Sequence, residues 1–142
     1  MKLAIGSDHG GYELKEFMMS KLVEIGHEVV DYGTFNGESV DYPDVGKKVA
    51  QAVMEENFQY GFVFCGTGIG ISLAANKVAG IRCALVSEEF SARMSRAHNN
   101  ANMLAMGGRT VGPELAWSIM QAFLETEFEG GRHARRVDKI EG

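Results

Sequence analysis

Cys65 stands immediately before a glycine-rich run, Gly66-Thr67-Gly68-Ile69-Gly70, that opens onto an amphipathic stretch. A turn of this kind aims backbone N–H groups at a common centre, and that centre stabilises an anion, either a phosphate or a developing oxyanion. A thiol at the entrance to a helix ionises more readily than a free one, whose pKa is about 8.5. In a dry pocket the resulting thiolate can act as a carbon-acid base or as a nucleophile. Glycines that merely allow φ > 0, and a cysteine that merely fills space, are the plainer alternatives. The run is not a dinucleotide fingerprint, because the third glycine would fall at Ile71, and no Gly-Lys-Ser/Thr closes it as a P-loop. Cys83, flanked by Arg82 and Ala84 inside a strand-like run, reads as a buried small hydrophobe.

A second set of reactive residues, Asp8-His9-Gly10-Gly11, follows the first apolar run. His98, before Asn99-Asn100, falls near the end of a helix, where a charged imidazole is favoured and can donate a proton; an exposed polar cap is the alternative. Arg132 and Arg136 stand at i, i+4 and share one helical face. Two adjacent guanidinium groups suit a phosphate, or else form a solvated charged tail. All seven arginines (82, 93, 96, 109, 132, 135, 136) come after residue 81, a distribution equally compatible with an anion site or a solvated face. His27 opens a strand and carries no functional reading, and His133 stays open. No His or Cys pair has metal-ligand spacing, and Asp41 and Asp44 read as a loop entering a helix.

These residues need a frame. The 142-residue chain, 45% hydrophobic and 23% charged, has the composition and length of one globular domain, 1–142. Its net charge of −5 disfavours nucleic acid as a partner, and no apolar run approaches the length of a membrane span. Two cysteines make no disulfide framework, and the N-terminus carries no secretion signal, so the cytoplasm is the expected compartment. Strands are expected at 2–6, 28–32, 62–65, 81–86 and 103–106. The helical stripes between them are Leu14/Phe17/Met18/Leu22/Ile25, closed by Gly26; Val45/Val49/Ala52/Val53, opened by Pro43; a helix through Lys77; Phe90/Met94/Ala97; and Leu115/Ile119/Ala122/Phe123. Gly130-Gly131 then introduces a basic helical tail at about 130–142. Five strand–helix units with apolar strands predict a Rossmann-like three-layer α/β/α sandwich on a five-stranded parallel sheet, with ligands at the carboxyl ends of the strands.

Taken in order, Asp8-His9-Gly10-Gly11, Cys65 to Ile71, Ala74-Ala75-Asn76-Lys77, His98-Asn99 and Gly130-Gly131-Arg132-His133 resemble the type B ribose-5-phosphate isomerases over essentially the whole chain. The resemblance implies interconversion of D-ribose 5-phosphate and D-ribulose 5-phosphate, with no metal or other cofactor. By position, Cys65 would move the proton between C1 and C2, and the amides from Gly66 through Thr67, Gly68 and Ile69 to Gly70 would hold the enediolate. His98, with Asp8 and Thr67, would open the ring. His9, Arg109, Arg132 and Arg136 would hold the phosphate, and Asn99 the sugar hydroxyls or the enediolate. One branch of the family places a glutamate base where this chain has Ile71, which leaves the work to Cys65. The related galactose-6-phosphate isomerase divides these features between two different subunits; this chain has them all, which implies a homo-oligomer. Some members accept D-allose 6-phosphate, so six-carbon substrates stay open. Rival readings are a phosphate- or nucleotide-binding module without catalysis, and an enzyme with a cysteine nucleophile.

Topology adds a further expectation. A helix of about 11 residues spans roughly 16 Å, and a five-residue strand about 17 Å. His98, and with it the arginine pair, therefore falls at the sheet edge opposite Cys65. Each active site is expected to join two subunits of a homodimer, and such dimers could pair into a tetramer.

Overall fold

Three apolar runs, Lys2–Ser7 (β1), Tyr60–Cys65 (β3) and Met103–Gly107 (β5), form the centre of the computed structural model, which describes residues 1–142. From Leu3 onward they are buried throughout, because helices cover the sheet on both sides and no strand face meets water. Glu28–Asp31 (β2) and Cys83–Leu85 (β4) form the edges of the sheet. All neighbours pair in parallel, in the order β2-β1-β3-β5-β4. Tyr12–Glu24 (α1), Glu89–Ala97 (α4) and Pro113–Leu124 (α5) pack on one face around Leu3, Ile5, Phe62 and Phe123. Tyr42–Glu55 (α2) and Ile69–Ala75 (α3) pack on the other around Ala4, Val49, Val63 and Ile71. The result is the expected three-layer, Rossmann-like sandwich. Arg132–Glu141 (α6) is an ordered helix rather than a loose tail, and it buries His133 and Val137. No helix is long and apolar enough to cross a membrane.

Several boundaries differ from expectation for local reasons. A short 3-10 turn, His9–Gly11, precedes α1; the Asp8 carboxylate nucleates it by accepting from Gly10 and Gly11. Strand β4 keeps only three residues, because side-chain amides occupy the backbone groups around it. Asn76 Oδ1 accepts from Cys83 N–H at 2.8 Å, and Asn102 Oδ1 accepts from Arg82 N–H at 2.8 Å. Helix α3 ends at Ala75 and does not run through Lys77.

The apolar stripes are corrected at their ends. Ile25 and Phe90 are exposed, as is Leu115 at 41%. On α4 the buried face consists of Ala92, Ser95, Arg96 and Ala97. Arg96 survives burial because its head lies over the rings of Tyr60 and Phe123, 4.9 and 5.8 Å from their centroids. Its Nη1 also donates to Asn100 Oδ1 at 2.9 Å and to Ala101 O at 2.7 Å. Lys15, on α1, is fully buried and closes on both carboxylate oxygens of Asp31 at 2.9 and 2.8 Å. A buried charge demands such a partner.

Candidate active site

The sheet reverses its winding between β1 and β3: β2 lies on one side of β1, and β3 starts the march to the other. In parallel α/β sheets such a switch opens a crevice outside the carboxyl ends of the strands. Asp8 and Cys65 sit at that crevice, and Asp8 N–H donates to Phe64 O at 3.2 Å. The loop after β5 closes it, with Gly108 N–H donating to Cys65 O at 2.8 Å and Arg109 N–H to Gly66 O at 2.9 Å.

Cys65 is 5% exposed, and its Sγ accepts from Gly68 N–H at 3.1 Å. That contact needs a glycine at residue 68. Its φ is +80°, and a Cβ there would stand 2.8 Å from the Met106 carbonyl carbon. Ile69 N–H donates to Thr67 Oγ1 at 3.2 Å. The amides of Gly68 and Ile69 are thus committed within the loop, which narrows the expected Gly66–Gly70 cradle. The N–H groups of Gly66, Thr67 and Gly70 have no protein acceptor and stay available to an oxyanion.

Asp8, Tyr42, Cys65, Thr67, Gly70 and Arg109 line a cleft of about 470 Å³. Tyr42 is a site residue that sequence reasoning missed. Its ring packs so close to Gly70 that a Cβ there would approach it to 2.5 Å, so the bare glycine is the trace it leaves in the sequence. Arg109 also borders a second cleft of about 370 Å³ lined by His9, Asn36 and Gly108. His9 is exposed there, and its Nδ1 accepts from Val40 N–H at 3.4 Å. A cation and an imidazole thus stand beside the thiol cleft, groups with the chemistry to neutralise an anion.

The other expected residues lie elsewhere in the chain. His98 caps the end of α4, and its ring stacks on that of His133, 4.1 Å between centroids and 7° from parallel. Burial, then the nearby His98 and Arg132, hold the His133 imidazole below its ordinary range, with Glu129 opposing them. Asn99 borders a separate cleft with Arg82, Cys83 and Ile140. Arg132 and Arg136 are exposed on α6 with no carboxylate within 4.0 Å. Two further arginines serve structure rather than an anion site: Arg96 in the core, and Arg82, bound to Glu141 at 2.7 Å. Cys83 has no comparable setting: it is half-buried in β4, and desolvation of its thiol pushes the pKa up to about 12.

Comparison with known proteins identifies the family and the fold. Residues 3–140 match the ribose/galactose isomerase family. The chain is 50% identical to ribose-5-phosphate isomerase B of Escherichia coli strain K12 over 139 residues, 98% of this chain and 93% of that protein. It is 43% identical to D-erythrulose-4-phosphate isomerase of Pectobacterium atrosepticum, covering 99% of this chain and 93% of the relative. Among solved structures, Clostridium thermocellum ribose-5-phosphate isomerase B superposes with a TM-score of 0.98 at 57% identity, covering 99% and 95% of the two chains. A ribose 5-phosphate isomerase from Thermotoga maritima gives 0.96 at 51% identity, covering 99% and 97%. The chain belongs to the ribose/galactose isomerase family, among the type B ribose-5-phosphate isomerases, and is a sugar-phosphate isomerase.

Proposed function

We propose that this enzyme interconverts D-ribose 5-phosphate and D-ribulose 5-phosphate through an enediolate, without a metal, as a step of pentose phosphate metabolism. One observation carries the reading: the buried Cys65 sulfur, fixed by Gly68 N–H at 3.1 Å, faces a cleft beside the uncommitted amides of Gly66, Thr67 and Gly70.

Ring opening requires a proton delivered to the ring oxygen and another removed from the anomeric hydroxyl. His98 is assigned to this step, with Asp8 and Thr67 orienting the sugar. Cys65 thiolate then takes the proton from C2, and the C–H electrons form the C1–C2 double bond while negative charge moves to O1. The free amides stabilise that charge where it develops. Proton transfer between the two oxygens and return of the proton to C1 complete the ketose. His9, Arg109, Arg132 and Arg136 neutralise the phosphate, and Asn99 binds hydroxyls or the enediolate.

His98, Asn99, Arg132 and Arg136 reach the cleft from a second subunit. Apolar surface beside the cleft supports this: Ile69 is 51% and Leu73 62% exposed, a large cost in water that a second copy would remove. Two homodimers could associate further as a tetramer.

The test is turnover of ribose 5-phosphate, allose 6-phosphate and galactose 6-phosphate by chelator-treated protein. Fastest conversion of the five-carbon aldose is expected, abolished by Cys65→Ala and largely spared by Cys83→Ala. Preference for a six-carbon substrate would reassign the sugar. Equal losses in the two cysteine variants would remove Cys65 from the chemistry.

A further inference from the structure

Glu129 and His133 stand at i, i+4, and the fold brings the distant His98 to them, so that the donor atoms of all three lie within 4.8 Å of one another. Glu129 Oε1 is 3.5 Å from His133 Nε2 and 3.9 Å from His98 Nε2, so both stacked rings turn a nitrogen edge to one carboxylate oxygen. The backbone holds this arrangement. Glu129 N–H donates to Ala97 O at 3.0 Å, which ties Glu129 beside His98. Gly130 and Gly131, with φ of +70° and +57°, then turn the chain into α6, and His133 N–H donates to Gly130 O at 3.0 Å.

Tetrahedral Zn²⁺, bonded at about 2.0–2.1 Å to nitrogen and oxygen, needs donors about 3.4 Å apart. The His133–Glu129 separation already fits, and the His98–Glu129 pair is wide by about half an ångström. The stacked rings must splay for both lone pairs to meet one ion, a movement that falls to His98, 40% exposed, because His133 is buried. Two imidazole nitrogens and one carboxylate oxygen select Zn²⁺, Ni²⁺ or Cu²⁺ over Mg²⁺ or Ca²⁺. With His98 40% and Glu129 58% exposed, a fourth position stays open to water. The geometry points to a binding site for Zn²⁺ on His98, Glu129 and His133, at which the metal inhibits the enzyme by occupying the imidazole that opens the sugar ring. The inhibition rests on the role proposed for His98; the binding does not.

Chelator-treated protein is titrated with ZnCl₂ by calorimetry, with ribose 5-phosphate turnover followed in parallel. One Zn²⁺ per chain is expected to bind, with turnover lost at the same concentrations. Glu129→Gln and His98→Asn should each weaken binding at least about tenfold, while Cys65→Ser should bind as the parent does. Glu129→Gln should raise the half-inhibitory Zn²⁺ concentration by the same factor as its affinity loss. Unchanged binding in Glu129→Gln and His98→Asn, or loss of binding in Cys65→Ser, overturns the site. Binding with the expected ligand dependence to a protein that turns over no sugar phosphate upholds the metal site and removes the proposed function. Full turnover with no Zn²⁺ bound does the reverse.

Discussion

Mixing Cys65→Ala protein with His98→Ala protein tests how the active site is divided between chains. In the sheet, Gly61 pairs with Met103 and Cys65 with Gly107. The turn after His98 enters β5 at the Met103 end, where Asn102 O accepts from Gly61 N–H at 3.1 Å. From Gly61 to Cys65 the strand rises about 13 Å at ~3.3 Å per residue, roughly twice the reach of an imidazole. Within one chain this leaves His98 out of reach of the thiol, and a second subunit is proposed to complete the site. Each homodimer of either variant carries two broken sites. A mixed dimer carries one site that is intact and one that lacks both residues. Random exchange at equal concentrations makes about half the dimers mixed, so the mixture should recover about a quarter of parental activity per chain. The assay is ribose 5-phosphate turnover after brief partial unfolding and refolding together, with mixed dimers verified by a mass tag on one variant. Background activity in the presence of verified mixed dimers would refute the shared site.

Other expectations follow from particular contacts. Gly68→Ala forces a side chain into the left-handed region at about 1–2 kcal/mol and drives Cβ into the Met106 backbone. Thermal unfolding should come several degrees lower, and displacing the thiol by about 1 Å should cost on the order of a hundredfold in kcat. Parental activity at a parental Tm would show that the Gly68 contact positions nothing. Iodoacetamide at pH 8 should label one thiol per chain, Cys65, more slowly when sugar phosphate is present; with its pKa at about 12, Cys83 should stay unlabelled, and mass mapping of the modified peptide decides. Hydrogen bonding from Ser91, first its side chain and then its N–H at 3.0 Å, holds the Glu88 carboxylate pKa below the usual 4.5. Its stabilisation of α4 is complete above the unfolded pKa and is lost as pH falls through the folded value. Glu88→Gln should therefore flatten the fall in Tm below pH 4.5, and an unchanged slope would count against the cap.

The alternation of strands and helices was legible in the sequence because β1, β3 and β5 are buried on both faces and so read as continuous apolar runs. The thiol loop was legible too, since Gly68 must be glycine to reach φ +80° beneath the sulfur. Counting apolar residues failed where charge was buried: Lys15 and Arg96 occupy core positions only because Asp31, carbonyls and aromatic rings meet them there. Phe90 shows the converse, an apolar residue on the outer face of α4, which strict periodicity assigns to the core. Tyr42 meets Gly70, and Glu129 and His133 meet His98, through tertiary contacts that no local spacing announces. Strand β4 shrank because Asn76, seven residues upstream of Cys83, and Asn102, twenty residues downstream of Arg82, took over its backbone bonding.

Exchange of the substrate's own hydrogen with solvent bears most directly on Cys65. Ribose 5-phosphate equilibrated in D₂O with the parent enzyme should acquire deuterium at C2, and ribulose 5-phosphate at C1, with no covalent adduct on the protein. Cys65→Ser, with Cys83 intact, should suppress that uptake together with turnover. Deuterium entering at the parental rate in Cys65→Ser, or isomerisation by the parent in which the substrate's own hydrogen passes from C2 to C1 with no deuterium taken up, would contradict the thiolate as the base.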